Sequence, residues 1–292
     1  MRRFTGTYTA LVTPFADGRI DFDALDRLVE RQIAGGVDGL VPCGTTGESP
    51  TLSPHEHDQV VERVVRRAAG RLAVIAGAGS NDTARAVQMA KHAADVGADG
   101  LLVVSPYYNK PTQAGLIAHF RAVAQATPLP VMLYNIPGRC GVEIAIPTIR
   151  RLFDETATIR SVKHATGRVD DAAELMHVCQ IDVLSGDDPI TWPLMSLGAI
   201  GVVSVLSNLA PQAVKRLTAA ALAGDLPTAR AAHRALFALG RALLSLETNP
   251  IPIKTALAMR GLCREEFRLP MCRISEENRT KLEAALREHP LE

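Results

Sequence analysis

A single lysine gives the chain its most specific chemical possibility. Lys163 lies in the run Ser161-Val162-Lys163-His164-Ala165, and alternation along an extended strand puts it on one face with Ser161 and Ala165. Those two small neighbours leave room around the amine. In an enclosed apolar setting the charged ammonium is disfavoured, and a neutral amine can attack a carbonyl carbon to give an imine. A lysine whose stem follows a frayed strand end while its ammonium reaches water fits the same spacing. Tyr134 and Tyr108 stand near the ends of other apolar runs. Either phenol could pass a proton if linked to a hydroxyl such as that of Thr45, and either could equally be packing with its hydroxyl satisfied. Thr45 and Thr46, flanked by Gly44 and Gly47, could hold a carboxylate through hydroxyl and backbone N–H groups; an ordinary polar loop has the same composition. Arg139, in Pro137-Gly138-Arg139, could clamp a carboxylate with two parallel hydrogen bonds, or simply lie on the surface.

Other chemistries find less support. His55 and His57 are two apart on an expected helix and do not share a face, which argues against a metal pair. Neither a Walker loop nor GxGxxG occurs. The acidic Asp187-Asp188 disfavours the phosphate site that many barrels build at that position. The five cysteines are odd in number and lack CxxC spacing, which suits free thiols in a reducing compartment. A net charge of +1, with no long basic run, makes nucleic acid and membrane surfaces poor partners. No apolar h-region follows Met1-Arg2-Arg3, so no signal peptide is expected, and no apolar run is long enough to span a bilayer.

Placing these residues requires a scaffold, and the sequence outlines one. Eight short apolar runs recur at 7–13, 39–44, 73–79, 101–106, 130–136, 159–165, 182–187 and 201–207. Several are nearly continuous in apolar residues, as expected of parallel strands covered on both faces. Stretches of helical period separate most of them. Ser53-Pro54-His55-Glu56 reads as a capping box with proline at the first helical position, and Asn81-Asp82 opens the next helix. Gly36-Val37-Asp38-Gly39, Gly97-Ala98-Asp99-Gly100 and Gly198-Ala199-Ile200-Gly201 form a weak repeat at helix-to-strand turns, where positive φ and close packing favour glycine. Eight strand–helix units predict a (β/α)8 TIM barrel over 1–224. A doubly wound sheet is the alternative, but it lacks its glycine-rich first turn. Residues 225–292 read as entirely helical, a C-terminal appendage packed on the barrel with no linker before it.

Taken together, Gly44-Thr45-Thr46-Gly47-Glu48, Tyr134-Asn135-Ile136-Pro137 with Arg139 and Gly141, and Lys163 with Ala165-Thr166-Gly167 resemble the dihydrodipicolinate synthase family of pyruvate-dependent class I aldolases. Leu184-Ser185-Gly186-Asp187-Asp188 and Asn249-Pro250-Ile251-Pro252-Ile253-Lys254 extend the likeness over essentially the whole chain. The resemblance implies a lyase that condenses pyruvate with L-aspartate 4-semialdehyde in lysine and diaminopimelate biosynthesis. It implies no cofactor beyond the covalent imine, a cytoplasmic location, and a homotetramer built as a dimer of dimers. By resemblance Lys163 forms the imine, while Thr46 and the backbone near Val203 hold the pyruvate carboxylate. Tyr134 moves protons, with Thr45 and Tyr108 completing the relay; that second tyrosine comes from a neighbouring subunit. Arg139 receives the carboxylate of the semialdehyde.

The chief rival is the N-acetylneuraminate lyase branch, from which Thr45 and Arg139 separate this sequence; sugar-acid lyases and a barrel that binds without catalysis also share the fold. Two departures stand beside the site, His164 where the family usually has glutamate and Cys140 where threonine is common. A third concerns regulation. In lysine-inhibited members a glutamate grips the effector's ammonium, and here the matching position is Arg85. Pro54 replaces a histidine and Pro50 a small residue in the same pocket, while Ser49, His57, Asn81 and Tyr107 remain. The resemblance therefore implies an enzyme insensitive to L-lysine.

Overall fold

The computed structural model describes residues 3–288. The eight apolar runs form parallel strands: β1 (Gly6–Ala10), β2 (Gly39–Val41), β3 (Ala73–Gly77), β4 (Gly100–Val104), β5 (Val131–Asn135), β6 (Ile159–His164), β7 (Asp182–Ser185) and β8 (Gly201–Ser204). Each pairs with its sequence neighbours, and β8 pairs with β1 to close the barrel. The expected (β/α)8 architecture is therefore present. Around it run α1 (Phe22–Ala34), α2 (Pro54–Ala68), α3 (Thr83–Asp95), α4 (Gln113–Gln125), α5 (Ile146–Glu155), α6 (Val169–Val178), α7 (Thr191–Ser196) and α8 (Pro211–Leu222).

The near-continuous apolar strands have two faces to bury. Outward residues such as Leu40, Val74, Leu101, Val103, Leu133 and Val162 pack under the helices in one extended core. Inward residues, among them Tyr8, Ile75, Leu102, Met132, Tyr134 and Leu184, form a second core inside the barrel. The repeated glycines serve both purposes expected of them. Gly36, Gly97 and Gly198 have positive φ, whereas a Cβ on Gly39 or Gly100 would lie 2.4 Å from the Tyr8 or Phe4 ring.

Strands end one to three residues earlier than the apolar runs, because the chain turns away at the C-terminal rim to form loops. Cys43, just past β2, already has φ 55°. The capping box at α2 is formed in both directions: Ser53 Oγ accepts from Glu56 N at 3.2 Å, and Glu56 accepts from Ser53 N at 2.9 Å. A two-stranded hairpin, Phe15–Ala16 with Arg19–Ile20, was not foreseen. Its turn, Asp17-Gly18, has positive φ at both positions, the geometry that such a dipeptide supplies.

Beyond residue 225 the chain forms α9 (Leu226–Ser245), α10 (Ile251–Met259) and α11 (Glu276–Glu288). The expectation of an entirely helical segment fails between α10 and α11, where 262–275 is irregular. Pro270 cannot donate to a helical ladder, and this segment is instead fastened to the barrel rim. Glu266 accepts the backbone N–H groups of Asp17 and Gly18 at 2.9 and 2.6 Å. Arg268 makes a two-pronged ion pair with Glu56 and stacks over Phe15. Among the described residues no helix is long and apolar enough to cross a membrane.

Candidate active site

Register decides what Lys163 meets. On β6 it lies beside Tyr134 of β5 and Leu184 of β7. Alternation turns it inward with Ser161, and both are almost completely buried. Its Nζ stands 4.2 Å from the centroid of the Tyr134 ring, and the inner core supplies the walls. The reading in which the ammonium snorkels to water therefore fails, because the lysine is 4% exposed. Gly186 gives this side chain its space: a Cβ there would lie 3.1 Å from Lys163 Cε and 2.7 Å from Ala165 Cβ. Asp187 follows directly. Burial pushes its carboxyl above the usual range, and the charge of Lys163 opposes that shift.

Above Tyr134 opens a cavity of about 260 Å³, whose lining includes Thr45, Tyr107, Tyr134, Arg139, Cys140 and Asn249. Thr45 reaches it from a tight loop after β2 that also carries Thr46, in which Gly47 N donates to Gly44 O and Glu48 N to Thr45 O, each at 3.1 Å. Glu48 closes this loop with φ 53°. Its carboxylate meets Lys254 Nζ of α10 at 2.5 Å, and both side chains are essentially inaccessible to water. Burial lowers the Lys254 ammonium from its ordinary value, and Glu48 opposes that shift. The ion pair thus anchors the Thr45-Thr46 loop to the C-terminal helices.

Arg139 projects from the short helical turn Pro137–Cys140 at the cavity rim, where its Nη2 donates to the carbonyl of Asn249 at 3.1 Å. Thr46 is buried and accepts a hydrogen bond from Asn249 Nδ2 at 3.0 Å. Val203, on β8, is fully buried in the inner core with Tyr134 and Ala165. Just after it, Asp188 accepts from the Ser204 hydroxyl and from Val205 N and Leu206 N. These are the backbone groups through which a barrel would grip a phosphate, and here the protein's own carboxylate takes them.

Tyr108 behaves differently. It is 88% exposed and is absent from the cavity lining, whereas Tyr107 is half-buried and lines it. The chain brings Tyr134, Thr45 and Arg139 to one cavity and sets Lys163 against the Tyr134 ring, and it leaves its own Tyr108 pointing elsewhere. The two departures beside the site also separate. Cys140 lines the cavity as a buried thiol whose pKa burial pushes up to about 11. His164 turns outward, where Nε2 lies 2.9 Å from Arg168 O and 3.0 Å from Thr166 Oγ1, so it braces the loop before α6. Sequence reasoning missed Asn249 and Tyr107 as cavity residues. Asn249 is distant in the chain from every other group of the site, and only its motif with Pro250 singled it out.

The dihydrodipicolinate synthetase family profile matches residues 3–289. A 4-hydroxy-tetrahydrodipicolinate synthase of Geobacter sulfurreducens is 50% identical over 290 residues, 99% of each chain. Two solved structures superpose closely over 99% of both chains. One is the chloride-inhibited dihydrodipicolinate synthase of Acinetobacter baumannii in complex with pyruvate, with TM-score 0.96 and 42% identity. The other is the enzyme of Cyanidioschyzon merolae with lysine bound, with TM-score 0.95 and 38% identity.

Proposed function

The chain belongs to the dihydrodipicolinate synthetase family, and from that premise we propose that it acts as a 4-hydroxy-tetrahydrodipicolinate synthase, condensing pyruvate with L-aspartate 4-semialdehyde through an imine on Lys163. The observation that carries this reading is the buried Lys163 amine against the ring of Tyr134, which lines a cavity together with Thr45 and Arg139. The amine adds to the pyruvate ketone and water leaves, giving an imine that loses a methyl proton to become an enamine. The enamine carbon attacks the aldehyde. The amino group of the second substrate then displaces Lys163 and closes the ring, so the lysine is regenerated and no further cofactor is consumed.

Each residue has a part. Thr46 and the backbone beside Val203 hold the pyruvate carboxylate, and Tyr134 carries protons between the imine and a relay of Thr45 and Tyr108. Arg139 is placed to receive the second carboxylate in a two-pronged hydrogen bond. An exposed Tyr108 fits a relay completed between subunits, and the assembly is a homotetramer acting in the cytoplasm. Arg139 and Thr45 at the cavity favour this reading over a sialic-acid lyase.

Pyruvate with borohydride should add one three-carbon unit to Lys163, located by peptide mass mapping, and Lys163→Ala should lose both the adduct and condensation while keeping its circular dichroism spectrum. An adduct at another lysine, or none, removes the imine mechanism. Efficient cleavage of sialic acid with no turnover of aspartate semialdehyde would overturn the substrate assignment.

A further inference from the structure

Asn249 joins two groups of the site, Thr46 and Arg139, although it comes from the C-terminal segment. The residue is 8% exposed and lines the cavity. Its amide nitrogen donates to Thr46 Oγ1 at 3.0 Å, and its backbone carbonyl accepts from Arg139 at 3.1 Å. Its amide oxygen is buried with no hydrogen-bond partner. Native proteins satisfy nearly all buried polar atoms, so an orphaned acceptor on a cavity-lining residue calls for a role beyond the fold.

The direction of the bond to Thr46 has a chemical consequence. A threonine hydroxyl has one proton to give and two lone pairs to offer. With the Asn249 N–H occupying one lone pair, the hydroxyl acts as acceptor toward the protein, and its single proton is left for something else. A carboxylate only accepts hydrogen bonds, so the free hydroxyl proton suits an anionic ligand.

We propose that Asn249 is a positioning residue that commits the Thr46 hydroxyl to donate to the 2-oxo acid carboxylate, while its backbone carbonyl holds Arg139 for the second substrate. This deepens the reading of the site as a pyruvate-imine centre and rests on it. Two functions that lie on different barrel loops are thereby set by one residue from outside the barrel.

The test is borohydride trapping of pyruvate alone, without the second substrate, followed by mass spectrometry as pyruvate is titrated. In Asn249→Asp the new carboxylate takes the Thr46 proton for itself. Half-saturation should then rise by about tenfold or more, the scale of a lost hydrogen bond to a charged group, while trapping at saturation is retained. The KM for aspartate semialdehyde should change much less, since the backbone carbonyl that holds Arg139 remains. Asn249→Ala should give a smaller rise in the same direction. In a Thr46→Val background it should add nothing, because the hydroxyl through which Asn249 acts is gone; this comparison decides the matter if the aspartate variant fails to fold. Half-saturation unchanged within about twofold in the variants that fold overturns the inference, as does a full additive effect on Thr46→Val. Failure of the wild type itself to trap pyruvate would overturn the imine reading, and the inference with it.

Discussion

Arg85 shows how one residue can change what a shared pocket accepts. It opens α3 beside Asn81 and is half-buried. Its charge reaches His57, whose imidazole is held below its ordinary value mainly by burial, with Arg85 acting in the same sense. The positive charge of Arg85 is therefore felt at His57, one of the polar groups named for the effector pocket. Two like charges about 4 Å apart repel by about 4 kcal/mol at an effective dielectric of about 20. Exposure screens part of this, yet even about 1.4 kcal/mol costs a factor of ten in affinity. L-Lysine, which a 38%-identical relative binds, should accordingly leave the steady-state rate unchanged up to millimolar concentration. Inhibition below about a millimolar would contradict this assignment of Arg85. Arg85→Glu, which restores attraction for an ammonium, should make the enzyme more sensitive than the wild type.

At the scale of elements, α10 and the irregular segment after it determine whether the β2 loop is held in place. Lys254 is fully buried, with Glu48, the carbonyl of Glu266 and the Phe15 and Phe267 rings around its ammonium. Lys254→Met would keep the volume and strand the Glu48 carboxylate without its partner. A loss of about 3–5 kcal/mol is expected for an unpaired buried charge, read as a lowered urea midpoint. The double variant Glu48→Gln with Lys254→Met should recover much of it, and equal destabilisation in both would contradict an ionic origin. The same segment ties down α2 through Arg268, which holds the Glu56 carboxyl at about 2, assisted by Ser53 and opposed by partial burial. A carboxyl lowered from about 4.3 in the unfolded chain stabilises the fold fully above that pH. The contribution disappears as pH falls through about 2. Arg268→Ala should therefore be less stable than wild type near neutrality, with the difference narrowing between about pH 4 and 2. A gap that stays constant over that interval would show that the pair contributes nothing through ionisation. Because both carboxylate and guanidinium retain contact with water, the effect is expected to be modest.

Across the whole molecule, the exposed Tyr108 bears on how many chains make one working site. Its backbone has φ 73°, a conformation that a bulky residue rarely adopts, and its ring is presented outward from the loop beside the cavity rim. If a neighbour's Tyr108 completes the relay, neither a Tyr108→Phe chain nor a Lys163→Ala chain is active alone. Mixed dimers of the two should recover activity at the one site that has both groups. Hybrids shown to form by native mass spectrometry yet remaining inactive would place the whole relay within one chain. In a dimer of closed symmetry such exchange would be reciprocal and would give two shared sites. Residues 225–288 contribute to the cavity at the barrel rim, since Asn249 and Pro250 help line it and Lys254 anchors the loop that carries Thr45.

The barrel was legible in the sequence because its signals are local. Strands covered on both faces are apolar almost throughout, and helix entries such as Ser53–Glu56 and the glycine turns declare themselves within a few residues. Lys163 was legible for a related reason: period-two alternation fixes its face, and Ser161 and Ala165 declare the space around it. The hairpin at Asp17-Gly18 and the irregular 262–275 escaped because both depend on partners far along the chain, Glu266 for the turn and Glu48 and Glu56 for the segment. The same holds for Asn249, which lies 203 positions from Thr46. Whether Lys163 is buried or reaches water was left open by spacing, and closure of the barrel against Tyr134 decided it. A sequence thus determines which face a residue takes, since that follows from backbone geometry. Which distant group satisfies its polar atoms follows from how the elements pack, and only the tertiary structure decides that.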